Sequence, residues 1–110
     1  MCGIAGCLNL RNGAPPDEAL LRQMLGMIRH RGPDQFGIYL DDEVGLGNAR
    51  LSMGDLAAGQ QPITTEDGRY GIVYNGEIFN QTALRAELVA GGHKLATHGD
   101  TEVFLHLFEQ

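Results

Sequence analysis

Tryptophan is absent from this 110-residue chain, and aromatic residues make up only 6% of it. Stacking on nucleobases or sugar rings is therefore not its obvious theme. Basic residues are also scarce. Against 14 Asp and Glu there are 8 Lys and Arg, for a net charge of −6, a poor balance for holding a phosphate backbone, so no nucleic-acid partner is expected. Cysteine is limited to 2 residues, too few for a disulfide framework. If residues 3–10 form a strand, Cys2 and Cys7 lie on opposite faces and cannot pair with each other. No apolar run is long enough to span a bilayer, and the N-terminus lacks the basic and apolar regions of a signal peptide. No membrane partner is expected, and a cytoplasmic, reduced setting follows. Neither a GxGxxG nor a Walker pattern occurs, so no phosphate loop is present. The 4 histidines match no common zinc spacing, so no metal site is expected.

What remains is an ordinary globular composition with an excess of glycine. Hydrophobic residues account for 43% and charged residues for 20%, which excludes a disordered tail. Glycine reaches 16, pointing to turns and close backbone approaches. The length suits one small domain.

Residues 3–10 read as a strand. Asp17 and Glu18 open a helix carrying Leu20, Leu21, Met24, Leu25, Met27 and Ile28 at helical spacing. Arg29, His30 and Arg31 suit its C-terminal end, and Gly32-Pro33 stops it. Residues 36–40 and 44–48 predict a hairpin around Asp41-Asp42-Glu43, and residues 51–61 are irregular. After the turn Glu66-Asp67-Gly68, a strand is expected at 70–74. Asn80 caps a helix running to about Ala90, with Leu84, Leu88 and Val89 inward and Gly91-Gly92 ending it. A short strand is expected at 93–96. A last helix starts near Asp100, with Val103, Phe104, Leu107 and Phe108 apolar. The mixture predicts an α+β fold. The chain stops at Gln110 inside that helix, so a piece of a longer polypeptide is expected.

Four places can carry chemistry. Once Met1 is removed, the Cys2 α-amine can act as general base for its own thiol; the alternative is a small residue at a strand start. Asn75-Gly76 offers a side-chain N–H and an unhindered backbone N–H as an oxyanion hole, with a tight hairpin as the alternative. Arg50 could fork onto a carboxylate, or face solvent. Asp100 could receive an ammonium group, or serve as a helix N-cap or first-turn acid. Arg50 and Asp100 together would grip both charged ends of an α-amino acid.

In combination these pieces are more specific. Met1-Cys2-Gly3-Ile4-Ala5-Gly6 resembles the start of class II glutamine amidotransferase domains, which are N-terminal-nucleophile hydrolases. Arg29-His30-Arg31-Gly32-Pro33-Asp34 with Gly37, Ala49-Arg50-Leu51-Ser52 with Gln61-Pro62, residues 73–80, and Gly99-Asp100-Thr101-Glu102-Val103 are similar to the asparagine synthetase branch. The glucosamine-phosphate and amidophosphoribosyl branches share Cys-Gly-Ile but differ in the following motifs. The resemblance implies an αββα sandwich, here incomplete: residues 1–110 would form part of a glutaminase domain, with the synthetase domain absent.

It further implies that Cys2 attacks the glutamine side-chain amide and that Asn75 and Gly76 hold the oxyanion. Arg50 would bind the α-carboxylate and Asp100 the α-amino group. Glu77 and the stretch Leu51, Ser52, Met53 and Gly54 would line the pocket, and Arg31 would help fix the nucleophile's loop. Met53-Gly54 departs from the two branched aliphatics usual in the family. The implied activity is hydrolysis of glutamine to glutamate and ammonia through a thioester, for ATP-dependent amidation of aspartate or another carboxylate. No cofactor is expected in this chain, whereas Mg-ATP would serve the absent domain. The alternative function is a non-catalytic, glutamine-binding or self-associating module, inactive if Met1 is retained. An amidase acting on another amide is a third reading.

Overall fold

The computed structural model describes residues 2–10, 14–51 and 59–110. Among these, five strands and three α-helices form an α+β fold with two antiparallel sheets, as the composition of elements predicts. β1 (Gly3–Leu8), β2 (Gln35–Leu40) and β3 (Val44–Arg50) build the larger sheet, in the order β1-β3-β2. β4 (Ile63–Thr64) and β5 (Gly71–Ile72) form the smaller one.

The β2–β3 hairpin turns where Asp41-Asp42-Glu43 predicts it. Asp41 Oδ1 accepts from the N–H groups of Glu43 and Val44 at 2.8 and 2.7 Å. Those two donors hold the Asp41 carboxyl below the usual carboxylate range. β1 pairs with β3 from Gly3↔Ala49 to Leu8↔Val44, and β2 pairs from Gln35↔Arg50 to Leu40↔Gly45. β1 ends at Leu8, short of residue 10, because its partner β3 begins at Val44; a last bond joins Asn9 N–H to Glu43 O at 2.9 Å.

Helix α1 (Glu18–Met27) starts at the Asp17 cap, whose carboxylate accepts from Ala19 N–H at 2.9 Å. Leu21 and Leu25 are its buried residues, and they lie on the glycine face of β3. A Cβ at Gly47 would sit 2.9 Å from Leu25 Cδ1, and one at Gly45 3.3 Å from Leu21 Cδ2. The missing side chains let the helix approach the strand closely. The basic run Arg29–Arg31 forms a separate 3-10 turn rather than the helix end.

Helix α2 (Gln81–Ala90) buries Leu88, while Val89 is exposed rather than inward. In α3 (Asp100–Glu109) the buried set is Thr101, Glu102, Val103 and Leu105. Of the apolar residues of this helix, Phe104 and Phe108 are exposed, resting on Tyr74 and Tyr70 at ring distances of 5.5 and 5.4 Å.

Two strand expectations are corrected. The ladder expected at 70–74 contains only Gly71 and Ile72. Extending its register, Ile63↔Ile72, sets Pro62 opposite Val73, and proline has no N–H to pair. Tyr74 N–H instead donates to the Gln61 side chain at 2.6 Å. Residues 93–96 form no strand, since the N–H groups of Ala96 and Thr97 both donate to the Glu102 carboxylate at 2.6 Å.

Candidate active site

The β1–β3 register is the frame of the site. One step beyond Gly3↔Ala49 sets Cys2 opposite Arg50. The nucleophile candidate and the carboxylate-binding candidate thus share one end of the sheet. Leu51 N–H donates to Cys2 Sγ at 3.5 Å, and the Leu51 carbonyl lies 4.0 Å from the same sulfur. From the 3-10 turn, Arg31 Nε donates to the Cys2 carbonyl at 3.1 Å, tying down the start of the chain. Cys2 and Cys7 are both free thiols, each partly exposed.

Strand alternation sends the two thiols to different sides. Gly3 faces α1, where an added Cβ would meet Ile28 Cδ1 at 2.8 Å, and a Cβ at Gly45 would meet Cys7 Sγ at 3.0 Å on that same side. Cys2 belongs to the other face, with Ile4 and Leu8, which are 49% and 55% exposed. Arg50 lies at the end of β3 on that face too. Its Nη1 donates to Gln35 Oε1 at 3.4 Å, and a Cβ on Gly59 would stand 3.6 Å from its Nη2.

Asn75, Gly76 and Glu77 are exposed in the loop between β5 and α2. No return strand follows them, so the hairpin alternative for Asn75-Gly76 does not hold. The loop is pinned at Ile78, whose N–H donates to Asp100 Oδ2 at 2.8 Å. Asp100 is the first residue of α3 and Gly99 its N-cap, so Asp100 is the first-turn acid. Its second oxygen, Oδ1, accepts no hydrogen bond among the described residues. Asp100 therefore joins the Asn75-Gly76 corner to α3. Ser52, Met53 and Gly54 lie outside the described residues.

Two positioning groups escape sequence reasoning. Gln61 links β3, the loop after β5 and α3: its Oε1 accepts from Asn48 Nδ2 at 3.2 Å and Tyr74 N–H at 2.6 Å, while its Nε2 donates to Thr101 Oγ1 at 3.3 Å. Asn48 belongs to β3 and is 1% exposed. The other group is Arg85 on α2, whose guanidinium donates to the carbonyls of Thr97 and Gly99 at 2.8 and 2.9 Å, directly ahead of Asp100. The Gln61-Pro62 pair was a visible motif without a role, and a single Arg within a helix gives no signal of its own.

Cys2 and Arg50 thus meet at one end of the β1–β3 pair, and Asp100 holds the loop that carries Asn75-Gly76. The chain belongs to the glutamine amidotransferase domain family, whose profile matches residues 1–110. It is similar to glutamine-hydrolysing asparagine synthetase 1 of Bacillus subtilis, with 47% identity over 107 residues, covering 96% of this chain and 17% of that protein. Asparagine synthetase 2 of the same organism is 41% identical over 114 residues, covering 100% of this chain and 15% of the relative. Asparagine synthetase B of Escherichia coli is 36% identical over 110 residues, covering 100% and 20%. The chain thus spans a fifth or less of the length of these relatives. No helix among the described residues is long and apolar enough to cross a membrane.

Proposed function

We infer that the chain is the N-terminal part of the glutaminase half of a cytoplasmic, asparagine synthetase-like amidotransferase. The observation that carries this reading is the placement of Cys2 Sγ against the Leu51 N–H at the sheet end occupied by Arg50, in a chain of this family. After removal of Met1, the Cys2 α-amine takes the thiol proton and the sulfur attacks the side-chain amide carbon of glutamine. Asn75 Nδ2 and Gly76 N–H receive the charge on the tetrahedral oxygen, each worth about 3 kcal/mol of barrier. Collapse expels ammonia with the proton returned by the amine, leaving a γ-glutamyl thioester on Cys2. Water then releases glutamate and restores the thiol. Splitting one difficult amide cleavage into two steps is the benefit of the covalent route.

Arg50 would hold the substrate α-carboxylate and Asp100 the α-ammonium, with Glu77 and the 51–54 stretch lining the pocket. The bond from Ile78 N–H to Asp100 supports this arrangement, since one carboxylate would then fix both the ammonium and the loop that carries the oxyanion donors. The ammonia would pass to a carboxylate, aspartate in the leading case, activated with Mg-ATP elsewhere in the polypeptide. The decisive test is Cys2→Ala in the protein that carries this chain. Glutamine-dependent synthesis should vanish while ammonia-dependent synthesis persists; surviving glutamine-dependent synthesis refutes the mechanism. Intact-mass measurement should find Met1 removed.

A further inference from the structure

A second cluster of reactive side chains lies away from Cys2, where the turn after α2 meets the end of α3. His93 follows Gly91-Gly92, and its N–H closes onto Leu88 O at 2.9 Å. His106 and Glu109 stand three residues apart on α3 and so share one face of the helix. His93 Nδ1 is 3.0 Å from His106 Nδ1, with the rings edge-on at 86°. His106 Nδ1 is 3.5 Å from Glu109 Oε2. One ligand atom from each residue lies within 4.8 Å of the others. Together with Glu66 and Lys94 they line a cavity of 320 Å³.

We propose that His93, His106 and Glu109 form a binding site for a divalent transition-metal ion of the zinc type, clamping the end of α2 to α3. This departs from the expectation drawn from histidine spacing, because the ligands come from two elements that only the fold brings together. Zinc–nitrogen bonds of about 2.0–2.1 Å set two ligand nitrogens about 2.9 Å apart at a right angle and about 3.3 Å apart in a tetrahedron. The 3.0 Å between the two Nδ1 atoms falls within that span. Two imidazoles and one carboxylate suit zinc, cobalt, nickel or copper, whereas magnesium and calcium favour all-oxygen shells.

A supporting carboxylate is already in place. His106 Nε2 faces Glu102 Oε1 at 3.7 Å, and Glu102 is itself fixed by the Ala96 and Thr97 N–H groups at 2.6 Å and by the Thr97 hydroxyl. A carboxylate behind the far ring nitrogen of a ligating histidine fixes its tautomer and orientation. At 3.7 Å the Glu102 contact is a charge contact and not a hydrogen bond; a metal on Nδ1 would leave the proton on Nε2, on the side of Glu102.

The test uses the chelator-stripped, reduced protein that carries this chain, titrated with ZnCl2 by calorimetry and with CoCl2 by visible absorption. One zinc ion per chain is expected. His93→Asn, His106→Asn and Glu109→Gln should each weaken zinc binding about tenfold or more, and Glu102→Gln about tenfold through His106. His30→Asn and His98→Asn should leave it unchanged. His93 lies outside any helix or strand, so its variant keeps the test valid if an α3 variant fails to fold. Wild-type affinity in His93→Asn, no zinc binding by the unaltered chain, or a thiolate-to-cobalt charge-transfer band placing the ion on Cys2 or Cys7 would each overturn the proposal.

Discussion

Gln61→Ala should unfold this chain more readily than a half-buried glutamine would ordinarily suggest. The substitution removes both acceptor bonds to Asn48 and Tyr74 and the donor bond to Thr101. Asn48 is 1% exposed and Thr101 7%, so neither recovers a water partner easily. Stranding a buried polar group costs about 1–3 kcal/mol. Tyr74 N–H is only half-buried and contributes less, so the two buried groups together predict a loss of about 2–6 kcal/mol. At a mid-range urea slope of about 2 kcal/mol per M, the unfolding midpoint should fall by about 1–3 M. Gln61→Met keeps the side-chain length but makes none of these bonds, so it separates hydrogen bonding from packing. Circular dichroism during urea titration provides the readout. A Gln61→Met chain as stable as the parent would refute the reasoning, because the link between β3, Tyr74 and α3 would then hold by contact alone.

Other substitutions have equally definite outcomes. Gly37→Ala places a Cβ 1.6 Å from the Gln61 carbonyl oxygen and should cost about 3 kcal/mol or more in urea unfolding, whereas Gly26→Ala, with nothing within 4 Å, should stabilise α1 by about 0.5–1 kcal/mol. Asn75→Ala in the protein that carries this chain should lower kcat for glutamine about 10²–10³-fold while sparing ammonia-dependent synthesis, as steady-state kinetics with each nitrogen donor would reveal. The Asp41 carboxyl is held below its ordinary value by Glu43 and Val44 N–H. Its contribution is therefore present above the unfolded-state carboxyl pKa of about 3.9 and is lost as pH falls through the lower folded value. Thermal melts at pH 5 and pH 3 should accordingly show a smaller acid-induced drop for Asp41→Asn than for the parent.

Elements with local signals were legible in the sequence. The Asp17 cap, the Asp41 turn and the Gly91-Gly92 stop each act through their own side chain or backbone, and each sits where the residues predict. The β5 ladder was overestimated because its length depends on Pro62 across the sheet, and β4 was missed because two residues carry no periodicity. Residues 93–96 have strand-like composition, yet a carboxylate six residues further on takes the Ala96 N–H. On α3 the apolar residues could be read from the sequence but the buried face could not: Leu105 is buried while Phe104 and Phe108 stay exposed, where the helix packs on a two-stranded sheet. At the site, Cys2 was singled out by its place behind Met1 and Arg50 by its place at a strand end, whereas Leu51 entered only through the resemblance; the register then sets Cys2 opposite Arg50. Gln61 and Arg85 were not readable, since each acts through residues at least 12 positions away.

The pleat of β1 imposes a length constraint on anyone engineering this terminus. Side chains alternate between the helix-covered and the open surface, and Gly3 is wedged beneath Ile28. Adding a single residue between Cys2 and Gly3 would carry the thiol out of reach of the Leu51 amide and beyond the grip of Arg31 on its carbonyl. Under the proposed mechanism a leader or tag has a different effect: it leaves Cys2 in register with β3 but ties up the α-amine as an amide, so it would have to be cleaved flush at Cys2 for that amine to act as the base.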